Sequence, residues 1–389
     1  MRRKGTVRRP VAGANIRFSN AWPVIKLIIV IACVSVGVLV MILHGFPLIE
    51  DLIKGVDPSL RYQPKVEKEF SLKTGKSQPE KYEIKEMYIS DIKTKNDPYI
   101  AGEKIIFTTR TDTEGVFRLD SVGIYDAATE AVTMLPNVEK KYDNLLNPLL
   151  SGNIAVWVDS MIDGGGRIVG YDLTTNQQFV IKEYGYAIPA LSLDGDLLTF
   201  MQWAGDALQR FYVYNVRTRE AVTVKLYETE IGNSATDVSA SDIVWSEYKQ
   251  ESSGRVSGTL KRIVLEDGTS RYEHYNFGDN VFEPKTNGKD IVYATDKNIT
   301  GGDLMLSVGG GQPVKIAENV LNYDLGDTFV AYTKDDKIHV CFTNQQKTLV
   351  LTSDIAKNLL VSTNGNGITF YDITDGVLVD EVVMYATIE

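Results

Sequence analysis

One hydrophobic pattern recurs seven times between residues 87 and 389. In each copy a small or turn-forming residue is followed five positions later by an aromatic residue, with apolar residues between the two. Successive aromatic residues are 38 to 50 positions apart, a period typical of repeat architectures. The seven pairs are Gly102 and Phe107, Gly152 and Trp157, Gly195 and Phe200, Ala240 and Trp245, Gly288 and Tyr293, Asp327 and Tyr332, and Gly365 and Phe370.

Each copy continues with further β-rich segments. A second run follows after ten to twenty residues and often ends in an aromatic residue and a turn former, as at 122–126, 168–172 and 211–215. A third run comes next, as at 131–135 and 221–224. With the short segment before each small residue, the pattern predicts four antiparallel strands per repeat and no helix of ten or more residues. A four-stranded sheet that recurs at this period is a β-propeller blade.

The sequence therefore predicts an all-β fold, a single β-propeller over residues 81–389. We count seven blades, or six if the last copy is irregular. The middle strands should be buried on both sides, because runs such as Ile243-Val244-Trp245 are continuously apolar. A pair of β-sandwiches is the alternative, but it does not predict one pattern seven times. The seventh copy ends after its third strand, and the alternating run 81–87 is suited to supply the missing outer strand and close the ring.

The repeat resembles that of the TolB-type, WD-like propellers. The repeat pattern of that family is Pro-x-aromatic-Ser-Pro-Asp-Gly, then an apolar strand, then a strand that ends in an aliphatic residue and Asp. The segment from Pro189 to Phe200, followed by 211–215, is similar to this pattern. Leu193 stands where the family has its second proline. The resemblance covers about 300 residues, and it implies a propeller that takes part in a protein assembly of the bacterial envelope.

The N-terminal region predicts a membrane anchor. Residues 1–26 contain seven basic and no acidic residues, and the run from Leu27 to Leu43 is uninterrupted by charge. We assign 1–26 to a basic cytoplasmic arm, 27–45 to one transmembrane helix and 46–80 to an extracytoplasmic stalk. The apolar stretch up to Ile49 would be about 34 Å long as a helix, enough to cross a bilayer. By the positive-inside rule the arm stays in the cytoplasm and the propeller is exported across the cytoplasmic membrane of a bacterium.

Cleavage of this segment as a signal peptide is the alternative. No small-residue cleavage site of the Ala-x-Ala kind follows the apolar run. Cys33 loosely fits a lipoprotein box, but strongly apolar residues follow it where a mature lipoprotein becomes polar. A signal anchor that stays in place therefore explains the segment best.

The composition offers little for catalysis. The net charge is −10, and because the arm holds seven basic residues, the remainder carries −17, which argues against nucleic acid as a ligand. Two cysteines and three histidines predict no metal site and no cofactor. Gly-x-Ser-x-Gly, His-Glu-x-x-His and phosphate-loop motifs are absent, so we predict no catalytic residue. The glycine triplets at 164–166 and 309–311 should be hairpin turns, and Cys341 should be a buried thiol.

Recognition is expected on variable connections of the rigid ring. The connections between the second and third strand of each blade differ most in length and share one face. Candidate partner-binding residues on them are Trp203, Asp206, Arg210, Tyr248 and Arg255.

We expect a non-enzymatic binding or scaffold module for a protein or a cell-wall polymer. The alternative is a propeller enzyme that acts on an extracellular glycan. Aspartates and glutamates around the central channel would favour the enzyme, and an apolar or plugged channel would favour the scaffold.

Overall fold

The computed structural model describes residues 82–388, with gaps at 88, 90–91, 93, 112–117, 241, 267–268, 274–276, 279, 297–301, 345–346, 353–356 and 374–381. The chain divides into two units, Met1–Arg61 and Tyr62–Glu389, and every described residue belongs to the second. The predicted arm, transmembrane helix and stalk lie outside the described residues. Among the residues that are described, no helix is long and apolar enough to span a membrane.

The described residues form seven four-stranded antiparallel sheets arranged as blades. This confirms the prediction of an all-β propeller with seven blades and not six. Blade 1 contains β2 (Asn96–Ala101), β3 (Lys104–Thr109), β4 (Ser121–Asp126) and β5 (Ala131–Met134). Blade 2 contains β6 (Asn144–Ser151), β7 (Ile154–Ser160), β8 (Gly166–Asp172) and β9 (Gln177–Tyr184). Blade 3 contains β10 (Leu191–Asp194), β11 (Leu197–Gly205), β12 (Leu208–Asn215) and β13 (Glu220–Glu228).

The remaining blades follow the same order. Blade 4 contains β14 (Asp237–Ser239), β15 (Asp242–Gln250), β16 (Val256–Glu266) and β17 (Thr269–Glu273). Blade 5 contains β18 (Phe282–Thr286), β19 (Ile291–Ala294), β20 (Leu304–Ser307) and β21 (Val314–Ala317). Blade 6 contains β22 (Asn322–Leu325), β23 (Phe329–Lys334), β24 (Lys337–Phe342) and β25 (Thr348–Val350). Blade 7 contains β26 (Asn358–Asn364), β27 (Gly367–Asp372), β28 (Val382–Ile388) and, as its fourth strand, β1 (Tyr82–Glu86).

The second strand of each blade carries the recurring aromatic residue and is buried on both sides. Phe107 and Trp157 are fully buried, and Ile105, Ile106 and Val156 beside them are fully buried too. The cores lie between adjacent blades, where for example Phe211 of blade 3 packs on Trp245 of blade 4 with ring centroids 4.9 Å apart. Burial on both sides explains the continuously apolar runs in the sequence.

The small residue of the pattern forms the turn between the first and second strand. Its φ angle is positive at Gly102 (63°), Gly195 (55°) and Gly288 (83°), a conformation that glycine adopts without steric cost. Ala240 adopts it as well, with a φ of 53°. Asp327 is not among the positive-φ residues, so the turn of blade 6 is built differently.

The ring is closed by β1, as the alternating run at 81–87 predicts. Tyr82 pairs with Ile388 and Glu86 with Met384 along β28, and the Met87 amide donates to the Val383 carbonyl at 2.8 Å. Ile84 packs into the core between blades 6 and 7, and the fully buried Met87 packs between blades 7 and 1. The N-terminal strand β1 therefore pairs with β28, and its segment packs against both blade 6 and blade 1, which closes the ring.

A chain that begins at residue 88 should be much less stable than one that begins at 81. Loss of the buried Met87 side chain costs about 2–5 kcal/mol, and the hydrogen bonds of β1 add to that loss. Urea unfolding of the two fragments measures the difference, and we expect the shorter one to be destabilised by at least about 3 kcal/mol. Equal midpoints and slopes would show that β1 does not close the ring.

Candidate functional site

The strand directions give the ring two distinct faces. The turns between first and second strands lie on one face, where β1 begins and β28 ends because Tyr82 pairs with Ile388. We call this the terminus face. The connections between second and third strands, and those between successive blades, lie on the opposite face, which we call the loop face. The chain that precedes Tyr82 joins the propeller at the terminus face.

Side chains of one blade bind the exposed backbone edge of the next at the centre of the ring. The first strand of each blade has no sheet partner on its inner side. Backbone amides on these strands therefore need other acceptors. The donor and acceptor pairs are the amides of Asn147 with Asp97 Oδ2 at 3.1 Å, Val238 with Ser192 Oγ at 3.0 Å, Thr286 with Asp237 Oδ2 at 2.8 Å, Thr363 with Asp324 Oδ2 at 2.8 Å, and Ile100 with Ser362 Oγ at 3.2 Å.

One position of the first strand repeats around the channel in all seven blades. It lies three residues before the small residue of the pattern, and in every blade it pairs with the residue immediately before the recurring aromatic. We call these residues the channel ring. In blade order they are Tyr99, Leu149, Ser192, Asp237, Lys285, Asp324 and Ser362.

The channel ring lines a cavity of about 210 Å³ at the end of the channel nearest the terminus face. Asp194, Asn287 and Asn364, close to the turns, contribute further polar lining. The charged members of the ring, Asp237 and Asp324 with Lys285 between them, belong to consecutive blades 4, 5 and 6. Tyr99 and Leu149 of blades 1 and 2 lie across the ring from Lys285. The cavity thus has one charged wall and one aromatic and aliphatic wall.

Lys285 contacts one carboxylate and is influenced by the charge of a second. Its Nζ lies 3.4 Å from Asp237 Oδ1, and the charge of Asp237, with that of Asp324, raises the pKa of the Lys285 ammonium against the opposing effect of burial. Burial raises the pKa of Asp324 to about 6, although Lys285 lowers it. Burial also raises the pKa of Tyr99, whose hydroxyl accepts a hydrogen bond from Asn364 Nδ2 at 2.6 Å.

The described lining of the channel is polar, and its aspartates meet the condition set above for an enzyme. Each of these carboxylates, however, has a structural partner in the next blade. Asp237 accepts from Ser192, Lys285 and Thr286, and Asp324 accepts from its own strand and from Thr363. Asp194 accepts from the amide of Ala240. Linkage of the blades therefore accounts for the acidic side chains in the channel.

The predicted partner-binding residues lie on two adjacent blades near the loop face. Trp203 lies in β11 and Arg210 in β12, so only the exposed Asp206 is in the connection between them. Tyr248 lies in β15, while Arg255 follows the turn at 251–254. The strands thus extend further than the sequence predicts. In each hairpin the backbone pairing between the two strands continues almost to the connecting turn.

The structure brings the two hairpins together through Asn233. Its backbone and side-chain amides both donate to Gln209 Oε1 at 2.9 Å, and its Oδ1 accepts from the Tyr248 amide at 3.1 Å. Tyr248 is buried and donates from its hydroxyl to Glu283 Oε1 at 2.9 Å. Arg255 is exposed and donates to Asn280 Oδ1 at 2.8 Å. Of the five candidates, Asp206, Arg210 and Arg255 present exposed side chains.

A group of exposed apolar side chains lies on the same face, at blade 2. It was not predicted from the sequence. Ile162 is 65% exposed, Tyr186 47%, Ile188 41% and Met161 37%. The connection 161–165 and the segment 185–190 are joined by a hydrogen bond from the Gly165 amide to the Tyr186 carbonyl at 2.9 Å. We call these four residues the apolar loop patch.

Within the described ranges, no group of three or more histidine, cysteine, aspartate or glutamate side chains could hold a metal ion. The glycine triplets 164–166 and 309–311 lie at hairpin turns, between β7 and β8 and between β20 and β21, as predicted. Cys341 is a buried thiol, also as predicted. Neither feature adds a site.

Comparison with known proteins shows the fold alone. No family model matches the chain, and no curated protein matches it in sequence. The propeller domain of the Trilobed protease from Pyrococcus furiosus has a TM-score of 0.56 at 13% identity, over 75% of this chain and 94% of that one. Oligogalacturonate lyase from Vibrio parahaemolyticus has a TM-score of 0.53 at 12% identity, over 81% of this chain and 98% of the lyase.

TolB from Acinetobacter baumannii is also among the structural neighbours. Its TM-score is 0.42 at 14% identity, and this chain spans 60% of the TolB chain. The described residues form a propeller, and no function follows from this likeness. The Pyrococcus furiosus domain is described as having an open velcro topology, whereas here β1 closes blade 7.

The channel ring was missed by sequence reasoning, although the sequence contains its signal. The ring residues stand at one fixed offset, three positions before the small residue of each copy. Asp237, Lys285 and Asp324 could have been aligned through that offset. The apolar loop patch has no such signal, because its residues come from two connections that meet only in the folded chain.

Asp324 should make the propeller more stable at mildly acidic pH. Its pKa is about 6 in the folded protein and 3.8 as an ordinary carboxyl, so the folded state binds the proton more tightly. The contribution is fully present below pH 3.8 and is lost as the pH rises through about 6. Between pH 7 and pH 4 we expect Asp324 to add about 1–3 kcal/mol to the free energy of unfolding.

Urea unfolding of residues 81–389 across that pH range tests this. Asp324→Asn should flatten the pH dependence, whereas Asp327→Asn, an exposed aspartate at the same turn, should leave it as in the parent. The same slope in the parent and in Asp324→Asn would contradict the assignment.

Proposed function

We propose that this chain is a membrane-tethered extracytoplasmic propeller that acts as a non-enzymatic binding or scaffold module for a protein of the cell envelope. The observation that carries the proposal is the apolar loop patch on the loop face. Exposed apolar side chains that form a group mark interaction sites more often than isolated ones do. They stand on connections of a rigid scaffold, where recognition residues concentrate.

The residues predicted from the sequence extend this surface. Asp206 and Arg210 lie on blade 3, next to the patch on blade 2, and Arg255 lies on blade 4. An apolar patch with charged residues beside it is compatible with the composition of a protein interface. Tyr82, the first described residue, lies at the opposite face.

The proposal of a glycan-cleaving enzyme has less support. Such an enzyme needs a carboxylic acid and a carboxylate that both face the scissile bond. Asp237 and Asp324 use both of their oxygens as acceptors within the ring. Their protonation and position are thus tied to the linkage of the blades, which favours binding over hydrolysis.

A photo-crosslinking residue placed at Ile162 in the full-length protein should capture the partner in native membranes. Mass spectrometry should identify the same few proteins in each repeat. The matched control is the same crosslinker at Val350, which is 47% exposed on the outer strand of blade 6. Ile188→Asp, which adds a charge to the patch, should reduce capture at least tenfold, and Arg210→Glu should reduce it less. Equal capture of the partner from positions 162 and 350 would show that the loop face is not the binding surface.

The proposed transmembrane helix predicts that the two ends of the chain lie on opposite sides of the membrane. An epitope tag before Met1 should be protected when a protease is added outside intact cells, because the seven basic residues keep the arm in the cytoplasm. A second tag after Glu389 should be removed under the same conditions. Digestion of the N-terminal tag with the membrane intact, or its loss from the mature chain, would rule out the anchor in the proposed orientation.

A further inference from the structure

We propose that the outer edge of blade 2, strand β9, is a docking site for an extended segment of the partner protein, which adds to the blade as a fifth strand. The inference rests on the proposed function, because it states how the partner of the apolar loop patch binds. Within the part of the chain that the structure describes, β9 pairs with β8 alone. About half of the backbone amides and carbonyls of an antiparallel strand point away from its neighbour, so β9 presents a row of main-chain groups on its other side.

β9 is long for an outer strand of this propeller. It has eight residues, whereas the described outer strands of blades 1, 4, 5, 6 and 7 have three to five. Short edge strands are one of the ways in which proteins prevent pairing with other chains. The outer strand of blade 3, β13, is similarly long at nine residues. Two adjacent blades therefore carry the long edges.

Unlike β13, the strand β9 is continuous with the apolar loop patch. Val180 on β9 is 49% exposed, and the strand ends at Tyr184, two residues before the exposed Tyr186. β13 instead ends at the exposed Glu228, and the exposed Glu230 follows it. Eleven large apolar side chains are exposed among the described residues, and five of them lie on blade 2 or on the connection that follows it: Met161, Ile162, Val180, Tyr186 and Ile188. The edge and the patch thus form one surface.

The edge favours an extended polypeptide as its occupant. A row of main-chain donors and acceptors is matched by the backbone of another strand, whereas the backbone groups of a helix are bonded within the helix. The two charged side chains of β9 already have partners: Glu183 accepts from Lys141 Nζ at 3.2 Å, and Lys182 Nζ lies 5.0 Å from the centre of the Tyr212 ring. The partner segment therefore needs no charge opposite them. We expect an apolar segment of up to about eight residues, or roughly 26 Å, in contact with β9.

Photo-crosslinkers along β9 in the full-length protein test strand pairing. They are placed one at a time at the exposed residues Gln177, Val180 and Glu183, and mass spectrometry maps the partner residue joined to each in native membranes. All three should capture the protein that is captured from Ile162. Because residues of paired strands face each other one by one, each step along β9 should move the joined residue by about three positions in one direction of the partner's sequence. Joined residues scattered over the partner, or capture of a second copy of this chain alone, would overturn the strand.

Val180→Lys and Leu226→Lys form a matched pair of variants. Both residues are 49% exposed, and they lie on the outer strands of neighbouring blades. A lysine on an edge strand disfavours pairing with another strand. Val180→Lys should therefore reduce capture from Ile162 at least fivefold, and Leu226→Lys should leave it as in the parent. Equal loss in both variants, or loss in neither, would contradict a partner strand at β9.

Hydrogen exchange distinguishes strand pairing from contact between side chains. In the complex isolated through the Ile162 crosslink, amides of 177–184 should exchange at least tenfold more slowly than in the free full-length protein, because the outward-pointing amides gain acceptors. The amides of β13 should exchange as before. Unchanged exchange across β9 in the complex would overturn the proposal.

The crosslinking results distinguish this inference from the proposed function. Capture from Ile162 without capture from residues 177, 180 and 183 would exclude the partner strand and leave the docking surface in place. Ordered capture from the three β9 positions without capture from Ile162 would support the strand and exclude the apolar loop patch. Capture from none of the four positions would overturn both.

Discussion

The exposed inner edge of every blade is the constraint on which this propeller depends. A first strand near the axis has a sheet partner on one side only, and its other side faces the channel. The chain meets this demand with short polar side chains that accept from the amides of the next blade. The ring is therefore held by hydrogen bonds at its centre and by apolar packing between its blades.

This arrangement explains why the channel is acidic. An amide is a donor, and carboxylates and hydroxyls are the side chains that accept from it most readily. Two such carboxylates on blades 4 and 6 place negative charge in a confined space, and Lys285 on blade 5 balances part of it. Charge in the channel therefore follows from the linkage of the blades.

Much of the fold could be predicted from the sequence because one local rule repeats. The small residue marks a turn, the aromatic residue marks a buried middle strand, and seven copies define seven blades. The closing role of 81–87 was also predictable, since the seventh copy lacks its outer strand. The ends of the hairpins were not, because Trp203, Arg210 and Tyr248 extend ladders whose length depends on cross-strand pairing. The apolar loop patch depends on contact between two connections, which periodicity does not encode.

The two faces differ in what they can recognise, and the difference follows from the direction of the strands. On the terminus face, tight turns border a small cavity. On the loop face the second and third strands of blades 3 and 4 extend beyond the first strands, as in β11 with β12 and β15 with β16. A large partner can approach that face without disturbing the central hydrogen bonds. The first and last described residues, Tyr82 and Ile388, pair at the other face.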